Sequence, residues 1–457
     1  MTTQPIKTLA GLAIFFFTFL GVEYAFDGMM AQFINPNGVV IAQSMILGSS
    51  VAGFLLFPCI NRFLRNSLKP AFATLISLSA IVCIISMPFL STGTHLQIIG
   101  CVSFATLGIM GSAIHWQASM ALQSSSSLSK QVACSYAAGL LLQFILNNVG
   151  ATYLWQCIIL AMFVLVLAAI IGRSYHPARQ IGNLSSSSDE NAGGSHQINL
   201  ILVCLIVAVV LMTGLFGMLD NVVTLAHSAG SVNVGQWPRL FLILSALAAG
   251  CLYDFRSRRF TPVIMLCMAL LSVVALLLIE GGFSSIGGLI VFYCCSGFYV
   301  IFFTSSFFIV STKTKIPELW AGMGRVANNL TAIIISIPSL ALVQTGSEVV
   351  VVIIDIALLI GISVALFSLY FLGSKSNLTR PVSEVPLEER LNSFSATYGL
   401  TKREIDVLAK LVDNEDLMQQ VADNLGISTR MLQKHASSIY KKTGTQTRAG
   451  LTKLFWN

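Results

Sequence analysis

Six polar side chains near the carboxyl end of the chain have the types and spacing needed to hydrogen-bond to DNA. On a predicted helix, Gln433 can bridge the edge of adenine and Lys434 can reach guanine. Hydroxyl and cationic groups such as Thr429, Arg430 and Lys441 are suited to phosphate oxygens, which accept hydrogen bonds. The outward face of this helix is predicted to comprise Thr429, Arg430, Gln433, Lys434, Ser437 and Lys441.

The elements that must position these side chains form a helix-turn-helix pattern. A short predicted helix ending near Leu425 is followed by a turn at 426–428 and then by a second helix. Ser428 can cap the second helix by accepting a hydrogen bond from a free backbone N–H. In such a pair the second helix enters the major groove. The apolar face that turns inward comprises Val421, Ala422, Leu425, Leu432, Ala436 and Ile439.

Charge is sorted along this part of the sequence. From residue 424 onward it contains no acidic residue, whereas its acidic residues all precede the second helix. A one-sided basic surface attracts phosphates and releases their counterions, although a run of charge alone is also typical of a solvated face. The basic residues are Arg430, Lys434, Lys441, Lys442, Arg448 and Lys453.

Residues 399–455 resemble the LuxR/FixJ-type DNA-binding domain. The resemblance implies four helices that bind double-stranded DNA, and a homodimer contact through a last helix at about 447–455. Gln433 stands where the family usually has a basic residue, so the target sequence stays open. The matching residues are Leu400, Thr401, Arg403, Glu404, Leu408, Val421, Ala422, Leu425, Gly426, Ile427, Ser428, Leu432, His435, Ile439, Tyr440, Lys442, Gly444, Arg448 and Ala449.

The preceding residues form a membrane protein by composition. The whole chain has 457 residues, 10% of them charged, and a mean hydropathy of +0.81, whereas soluble domains average about 25% charged residues. Apolar blocks of about 18–25 residues are long enough to cross a bilayer as helices. Twelve such blocks are predicted, near 8–27, 38–60, 71–90, 97–120, 131–150, 152–172, 198–220, 235–253, 262–280, 286–310, 321–344 and 349–372.

Ionisable and polar groups inside these spans are candidates for ligand binding, because an ionised group at mid-bilayer costs at least about 2.5 kcal/mol. In a sensor the two Asp residues could bind a cationic or hydroxyl-bearing ligand, and in a transporter they could couple protons. The alternatives are solvated outer helix ends for the Asp residues, a core histidine, and a tryptophan packed on lipid or on a neighbouring helix. The candidates are Glu23, Asp27, His115, Trp116, Asp220 and Arg239.

The two halves of the membrane region repeat each other. At an offset of 193 residues, Asp27 aligns with Asp220 and Arg65 with Arg258. Six spans followed by six more in the same orientation is the plan of parallel-repeat transporters. The segment from Gly250 to Arg259 (Gly-x-x-x-Asp-x-x-x-Arg-Arg) resembles the cytoplasmic loop signature of the major facilitator superfamily, although ordinary positive-inside residues are an equal alternative.

The distribution of Lys and Arg predicts the orientation. Thirteen of these residues, from Lys7 to Lys375, fall at alternate connections between spans, and the connections between them carry almost none. Cytoplasmic loops collect Lys and Arg, so both termini are predicted to be cytoplasmic. The expected location is a bacterial cytoplasmic membrane, with several passes through the bilayer.

The predicted fold class is therefore all-α: a twelve-helix polytopic membrane domain with a 6+6 pseudo-repeat, followed by a small four-helix helix-turn-helix domain. No catalytic residues, metal ligands or cofactor motifs are recognised. All ten Cys fall in apolar blocks. The predicted domains are a first membrane half at 1–172, a linker at 173–197, a second half at 198–373, a linker at 374–386 and the DNA-binding domain at 387–457.

Two functions fit these patterns. The first is a membrane-bound LuxR-family transcriptional regulator, whose transporter-like membrane domain senses a small lipophilic or aromatic molecule. The second is a secondary transporter of the major facilitator type with a regulatory tail that binds DNA or protein. The ligand, the operator, the regulated genes and the sign of regulation are not encoded in a recognisable form.

Overall fold

The chain forms two compact units in a computed structural model, Met1–Pro381 and Val382–Asn457. The structure describes residues 3–174, 192–230, 233–258, 260–280, 285–345, 348–375, 387–413, 418–445 and 447–456. Most of each predicted linker, at 173–197 and 374–386, lies outside these ranges.

The first half of the membrane unit contains six long helices where six spans are predicted. Asn35 caps α2 by accepting a hydrogen bond from the Gly38 N–H at 2.8 Å, and Pro36 begins that helix because its missing N–H costs nothing there. The helices are α1 (Thr3–Met30), α2 (Pro36–Phe63), α3 (Lys69–Ser86), α4 (Gly93–Leu122), α5 (Leu128–Asn148) and α6 (Tyr153–Ser174).

Within the described residues, the second half supplies six further apolar helices. The first of them begins at Ala192, within the residues 173–197 that are predicted as a linker. A one-turn helix at Pro317–Trp320 precedes the fifth. The helices are α7 (Ala192–Ser228), α8 (Arg239–Tyr253), α9 (Thr261–Glu280), α10 (Ser285–Ser311), α11 (Met323–Thr345) and α12 (Glu348–Lys375).

Length and hydropathy support a membrane location. Within the described residues, nine helices are long and apolar enough to cross a bilayer, and α8 and part of α9 are shorter apolar helices. The most apolar stretches of α1 and α4 are each 67% buried, whereas those of α3 and α12 are 28% buried. The first pair is therefore central. The second pair exposes apolar stripes at helical spacing, such as Leu75, Leu78 and Val82, which suit contact with lipid.

The carboxyl-terminal unit is a bundle of five short helices around its own apolar core. Its core includes Phe394, Leu408, Leu432, Ile439 and Leu451. The helices are α13 (Leu387–Tyr398), α14 (Lys402–Asp413), α15 (Met418–Asn424), α16 (Thr429–Thr443) and α17 (Arg448–Trp456).

The start of α16 has the predicted cap, and a glycine ends the helix. The Ser428 side chain accepts a hydrogen bond from the Met431 N–H at 3.3 Å, which satisfies a free donor of the first turn. Gly444 ends the helix with φ of +69°, a conformation that favours glycine. The predicted all-α fold class is confirmed, with a many-helix membrane unit and a helix-turn-helix unit.

Candidate functional site

A cavity of about 210 Å³ lies between the two halves of the membrane unit. Both halves contribute charged, amide and aromatic side chains to its wall. Among the predicted ligand residues, Glu23, Asp27, Asp220 and Arg239 line this cavity. The polar lining also includes Tyr24, Gln43, Tyr136, Gln143, Thr213, Thr224, His227, Tyr293, Ser296, Tyr299, Arg325, Asn328 and Asn329.

One amide holds two carboxylates together on the wall of the first half. The Gln43 Nε2 group donates to Glu23 Oε1 at 3.1 Å and to Asp27 Oδ2 at 3.0 Å. Glu23 and Asp27 are one helical turn apart on α1, and Gln43 reaches them from α2. Because an amide carries no charge, it orients the two carboxylates and leaves any negative charge on them uncompensated.

Arg239 lies on the cavity wall at the start of α8. Its Nη2 group donates to Gln143 Oε1 at 2.7 Å, and Gln143 Nε2 donates to the Leu20 carbonyl oxygen at 2.7 Å. This chain of hydrogen bonds ties the second half to α5 and α1 of the first half. Asp220 is solvent-accessible on the cavity wall, eight residues before the end of α7, so it does not lie at the helix end.

Arg325 is a lining residue that the sequence reading missed. Its guanidinium carbon lies 5.8 Å from the ring centres of Phe16 and Phe19 and 5.3 Å from that of Phe303, which is the geometry of cation–π attraction. An arginine close to the predicted start of a span looks like an ordinary interfacial charge. Its one distinguishing signal is its position five residues inside the block predicted at 321–344.

Neither His115 nor Trp116 is among the residues that line this cavity. His115 is 2% exposed, its Nδ1 group lies 2.7 Å from the Gly111 carbonyl oxygen, and aromatic rings including that of Phe15 at 5.2 Å surround it. Trp116 packs against Phe57 at 6.2 Å. The structure thus places His115 in an aromatic core, which was the alternative to ligand binding. It places Trp116 against a neighbouring helix.

Two sets of charged contacts join the halves away from the cavity. The Asp254 carboxylate accepts hydrogen bonds from the backbone N–H groups of Ser129 at 3.1 Å and Lys130 at 2.8 Å. These donors belong to the first turn of α5, where a negative charge is stabilising. Arg258 pairs with Asp254 at 3.1 Å and donates to the Ser125 carbonyl oxygen at 2.8 Å.

The first half makes a corresponding contact, in which the acidic residue belongs to the second half. Arg62 forms an ion pair with Glu318 and donates to the Lys315 carbonyl oxygen at 2.9 Å. Both contacts thus join the carboxyl end of the second helix of one half to the region around the start of the fifth helix of the other. The segment around Asp254 therefore makes charged contacts with a helix end.

We expect Asp254→Asn to weaken the contact between the halves. The substitution removes the negative charge from the start of α5 and from the ion pair with Arg258, contacts for which about 1.5–3 kcal/mol is typical. The apparent melting temperature of the full chain in detergent should fall. Asn61→Ala, at the equivalent position of the first half, is the control and should change it less. Equal melting temperatures for Asp254→Asn and the wild type would contradict this role.

The predicted DNA-contacting side chains lie together on the free face of α16. Thr429, Arg430, Gln433, Lys434, Ser437 and Lys441 are all exposed, whereas Leu432, Ala436 and Ile439 are buried. Met431, which the sequence reading did not select, is also 44% exposed on this helix. The face offers the hydrogen-bond donors, acceptors and cations that contacts with bases and phosphates require.

Lys442 is a basic residue of α16 that pairs within the unit. Its Nζ group donates to Glu404 Oε2 at 2.7 Å and to the Gly399 carbonyl oxygen at 2.9 Å. Glu404 also accepts from the Ser438 hydroxyl at 2.7 Å and the Thr401 N–H at 2.7 Å. Burial by itself raises the pKa of Glu404, but these donors outweigh it and lower the pKa to about 2.

We expect Glu404→Gln to destabilise the helix-turn-helix unit at neutral pH by about 1–3 kcal/mol, because it leaves Lys442 without its anion. A lowered folded-state pKa contributes stability that is present above the unfolded pKa of 4.5 and is lost as pH falls towards 2. Amide hydrogen exchange in α14 and α16 of the full chain should therefore be faster in the variant at pH 7. The variant and wild type should converge near pH 2, and a difference that persists there would contradict the assignment.

The predicted dimer helix, α17, contributes to the core of its own unit. Leu451 is fully buried and Phe455 is 2% exposed, with the Phe455 ring 5.2 Å from that of Phe394. Leu454 is half-buried. A homodimer through this helix stays a prediction, and it would rely on surface other than Leu451 and Phe455.

The fold and the sites define a class of protein: a transporter-like helical membrane unit followed by a helix-turn-helix unit. Residues 399–455 match the family described as bacterial regulatory proteins, luxR family. The chain thus carries a LuxR-type DNA-binding domain, and the resemblance seen in the sequence is confirmed. A comparison with curated protein sequences found no match.

The membrane unit is similar to solved transporter structures. The proton:xylose symporter XylE of the major facilitator superfamily, bound to 6-bromo-6-deoxy-D-glucose, is 12% identical with a TM-score of 0.54, covering 81% of this chain and 94% of that chain. The POT family transporter PepTSo is 13% identical with a TM-score of 0.49, covering 83% and 99%. The similarity to XylE establishes a major facilitator fold.

Proposed function

We propose that this protein is a membrane-bound transcriptional regulator. A small molecule binds in the cavity of the membrane unit, and its binding changes the affinity of the LuxR-type domain for promoter DNA. The observation that carries the proposal is the combination, in one chain, of a charge-lined cavity with a helix-turn-helix unit whose recognition helix presents a polar, basic face.

Charge placement supports the DNA-binding half of the proposal. Arg430, Lys434 and Lys441 are exposed on α16. The adjacent cluster of Glu404 and Lys442 stabilises the unit and does not compete with phosphates for those exposed cations. Electrostatic attraction to the phosphate backbone then supplies affinity, and Gln433 and Lys434 supply base discrimination.

The pattern of Lys and Arg supports both termini on the cytoplasmic side of the membrane, and the match to bacterial regulatory proteins suits a bacterial cytoplasmic membrane. That orientation is required, because the carboxyl-terminal domain must reach the chromosome. The two sets of contacts made by Asp254 and Arg62 join the halves and are candidates for the interactions that change when the halves rearrange. A ligand shifts such an equilibrium only if it binds one arrangement more tightly than the other.

The proposal is tested by measuring DNA binding by the full chain in lipid nanodiscs. DNA sites are first selected from a random library, and small molecules are then screened for a change in affinity for the selected site. At least one compound should change that affinity, and Asp27→Asn should remove its effect without changing the affinity of the ligand-free protein. Selection of no DNA site, or no compound that alters binding, would count against the proposal.

A transporter with a regulatory tail is the second candidate. It is favoured by the contacts that Asp254 and Arg258 make with α5, which suit a protein that alternates between two arrangements. Uptake into proteoliposomes separates the two functions, because a transporter must accumulate substrate and a sensor need only bind it. The tail would then bind DNA or a partner protein, which the selection experiment also distinguishes.

A further inference from the structure

Ionisable groups of both signs line the cavity, and both of its arginines belong to the second half of the membrane unit. The first half contributes the carboxyl groups of Glu23 and Asp27, and the second half contributes the guanidinium groups of Arg239 and Arg325. Asp220 also belongs to the second half. Among the described residues, no ion pair joins any of these five side chains to another. Charges of both signs are therefore available to a ligand at one cavity.

Individual atoms of these residues also lack hydrogen-bond partners. Asp27 Oδ1, Arg239 Nε and Arg325 Nε are buried atoms without a partner in the described part of the chain. The residues themselves are only 7%, 9% and 8% exposed. A buried polar atom left unpaired costs free energy, about 1–3 kcal/mol and more for a charged group. Three residues of the cavity wall thus each keep one unpaired atom: a donor nitrogen on each arginine and an acceptor oxygen on Asp27.

Size and shape restrict the ligand further. Sites for drug-sized molecules have volumes of about 300–1,000 Å³, so a cavity of about 210 Å³ suits a smaller molecule. Two aromatic pairs lie on its wall: Tyr24 with His227, with ring centres 5.7 Å apart, and Phe216 with Tyr299 at 5.0 Å. These rings offer flat surfaces for an apolar or aromatic side group.

We infer that the cavity binds a small zwitterion of the amino-acid class, with its ammonium group on Glu23 and Asp27 and its carboxylate on Arg239 and Arg325. This inference rests on the proposed function, because it names the ligand of the same site. A ligand with both charges contacts both halves at once and favours the arrangement in which they are close. A ligand with one charge contacts one half and has less effect on that equilibrium.

The test compares amino acids with analogues that lack one charge. Binding to the full chain in nanodiscs is measured by calorimetry for the twenty amino acids, for the amines made by removing the carboxylate and for the acids made by removing the amino group. At least one amino acid should bind about tenfold more tightly than both of its analogues, since a charge-assisted hydrogen bond contributes about that much.

Substitutions test which residue of the cavity binds the ammonium group of the ligand and which binds its carboxylate. Asp27→Asn should weaken binding of the amino acid and its amine by about 30-fold or more and leave binding of the acid unchanged. Arg239→Gln should have the opposite selectivity, and it is preferred to Arg325→Gln because Arg325 packs among aromatic rings of the core. Arg65→Gln and Asp423→Asn, outside the cavity lining, are the matched controls.

Two results would overturn the inference: an amine or an acid that binds as tightly as the parent amino acid, or no binding by any amino acid. Failure of the proposed function is distinguishable from either. If an amino acid binds but the affinity for selected DNA never changes, the regulatory role is wrong and the ligand class stands. If a singly charged compound changes DNA affinity and amino acids do not bind, the regulatory role stands and the ligand class is wrong.

Discussion

Replacing Gln433 and Lys434 together by alanine is expected to weaken binding to the preferred DNA site by about 100-fold or more, and binding to unrelated DNA by less than tenfold. Both side chains are exposed on the free face of α16. A good contact between a side chain and a base edge contributes about 1–3 kcal/mol of discrimination, so the loss of two such contacts removes most of the sequence preference.

Arg430→Ala provides the contrast. As a phosphate contact, Arg430 should contribute equally to preferred and unrelated DNA, and its loss should reduce the slope of log affinity against log salt by about 0.9. Lys402→Ala is the charge control, since Lys402 is exposed on α14 and not on the recognition helix.

The measurement is fluorescence anisotropy with labelled DNA and the full chain in nanodiscs, at several salt concentrations. Full discrimination retained by the double variant would show that α16 does not read bases. The alternative of a protein-binding tail would then be favoured.

Gly53→Ala is expected to destabilise the membrane unit strongly. A methyl group at this position would overlap the carbonyl oxygen of Ala105 and lie 2.9 Å from the backbone nitrogen of Ile109. Gly108 faces the Ser50 carbonyl oxygen in the same way, so α2 and α4 pack backbone to backbone. Because the obstacles are backbone atoms, the helices must separate, and a cost of about 3 kcal/mol or more is expected.

The control for this prediction is Gly172→Ala. Within the described residues, a methyl group built at Gly172 would meet no atom within 4 Å apart from its own stretch of helix. Alanine is the better helix former by about 1 kcal/mol, so this substitution should be neutral or slightly stabilising. The apparent melting temperature of each full-length variant, measured in detergent by size-exclusion chromatography after heating, should fall only for Gly53→Ala. Equal values for the two variants would contradict the close packing of α2 and α4.

The secondary structure of this protein could be predicted from local sequence. Apolar blocks predict the twelve long helices because a chain that crosses a bilayer must satisfy its backbone hydrogen bonds within each segment. Ser428 and Gly444 mark the ends of α16 through the conformations that they favour. The inward and outward faces of α16 were also predictable, since an amphipathic helix in water buries its apolar side.

The membrane unit gave less information about side-chain direction. Lipid and protein interior are equally apolar, so a membrane helix carries no strong periodic signal that separates its inner face from its outer face. For this reason His115 and Arg325 were not distinguishable as core and cavity residues in the sequence. One lies among aromatic rings and the other lines the cavity.

The sequence by itself determined the order of the helices, the repeat of the two halves and the recognition face of the LuxR-type domain, because each is visible in the pattern of residue types along the chain. The tertiary structure decided which distant groups meet. It brought Gln43 to Glu23 and Asp27, placed Arg325 opposite them on the other half, and paired Lys442 with Glu404. Those meetings depend on the rotation and tilt of whole helices, which packing against neighbours sets and which no local pattern encodes.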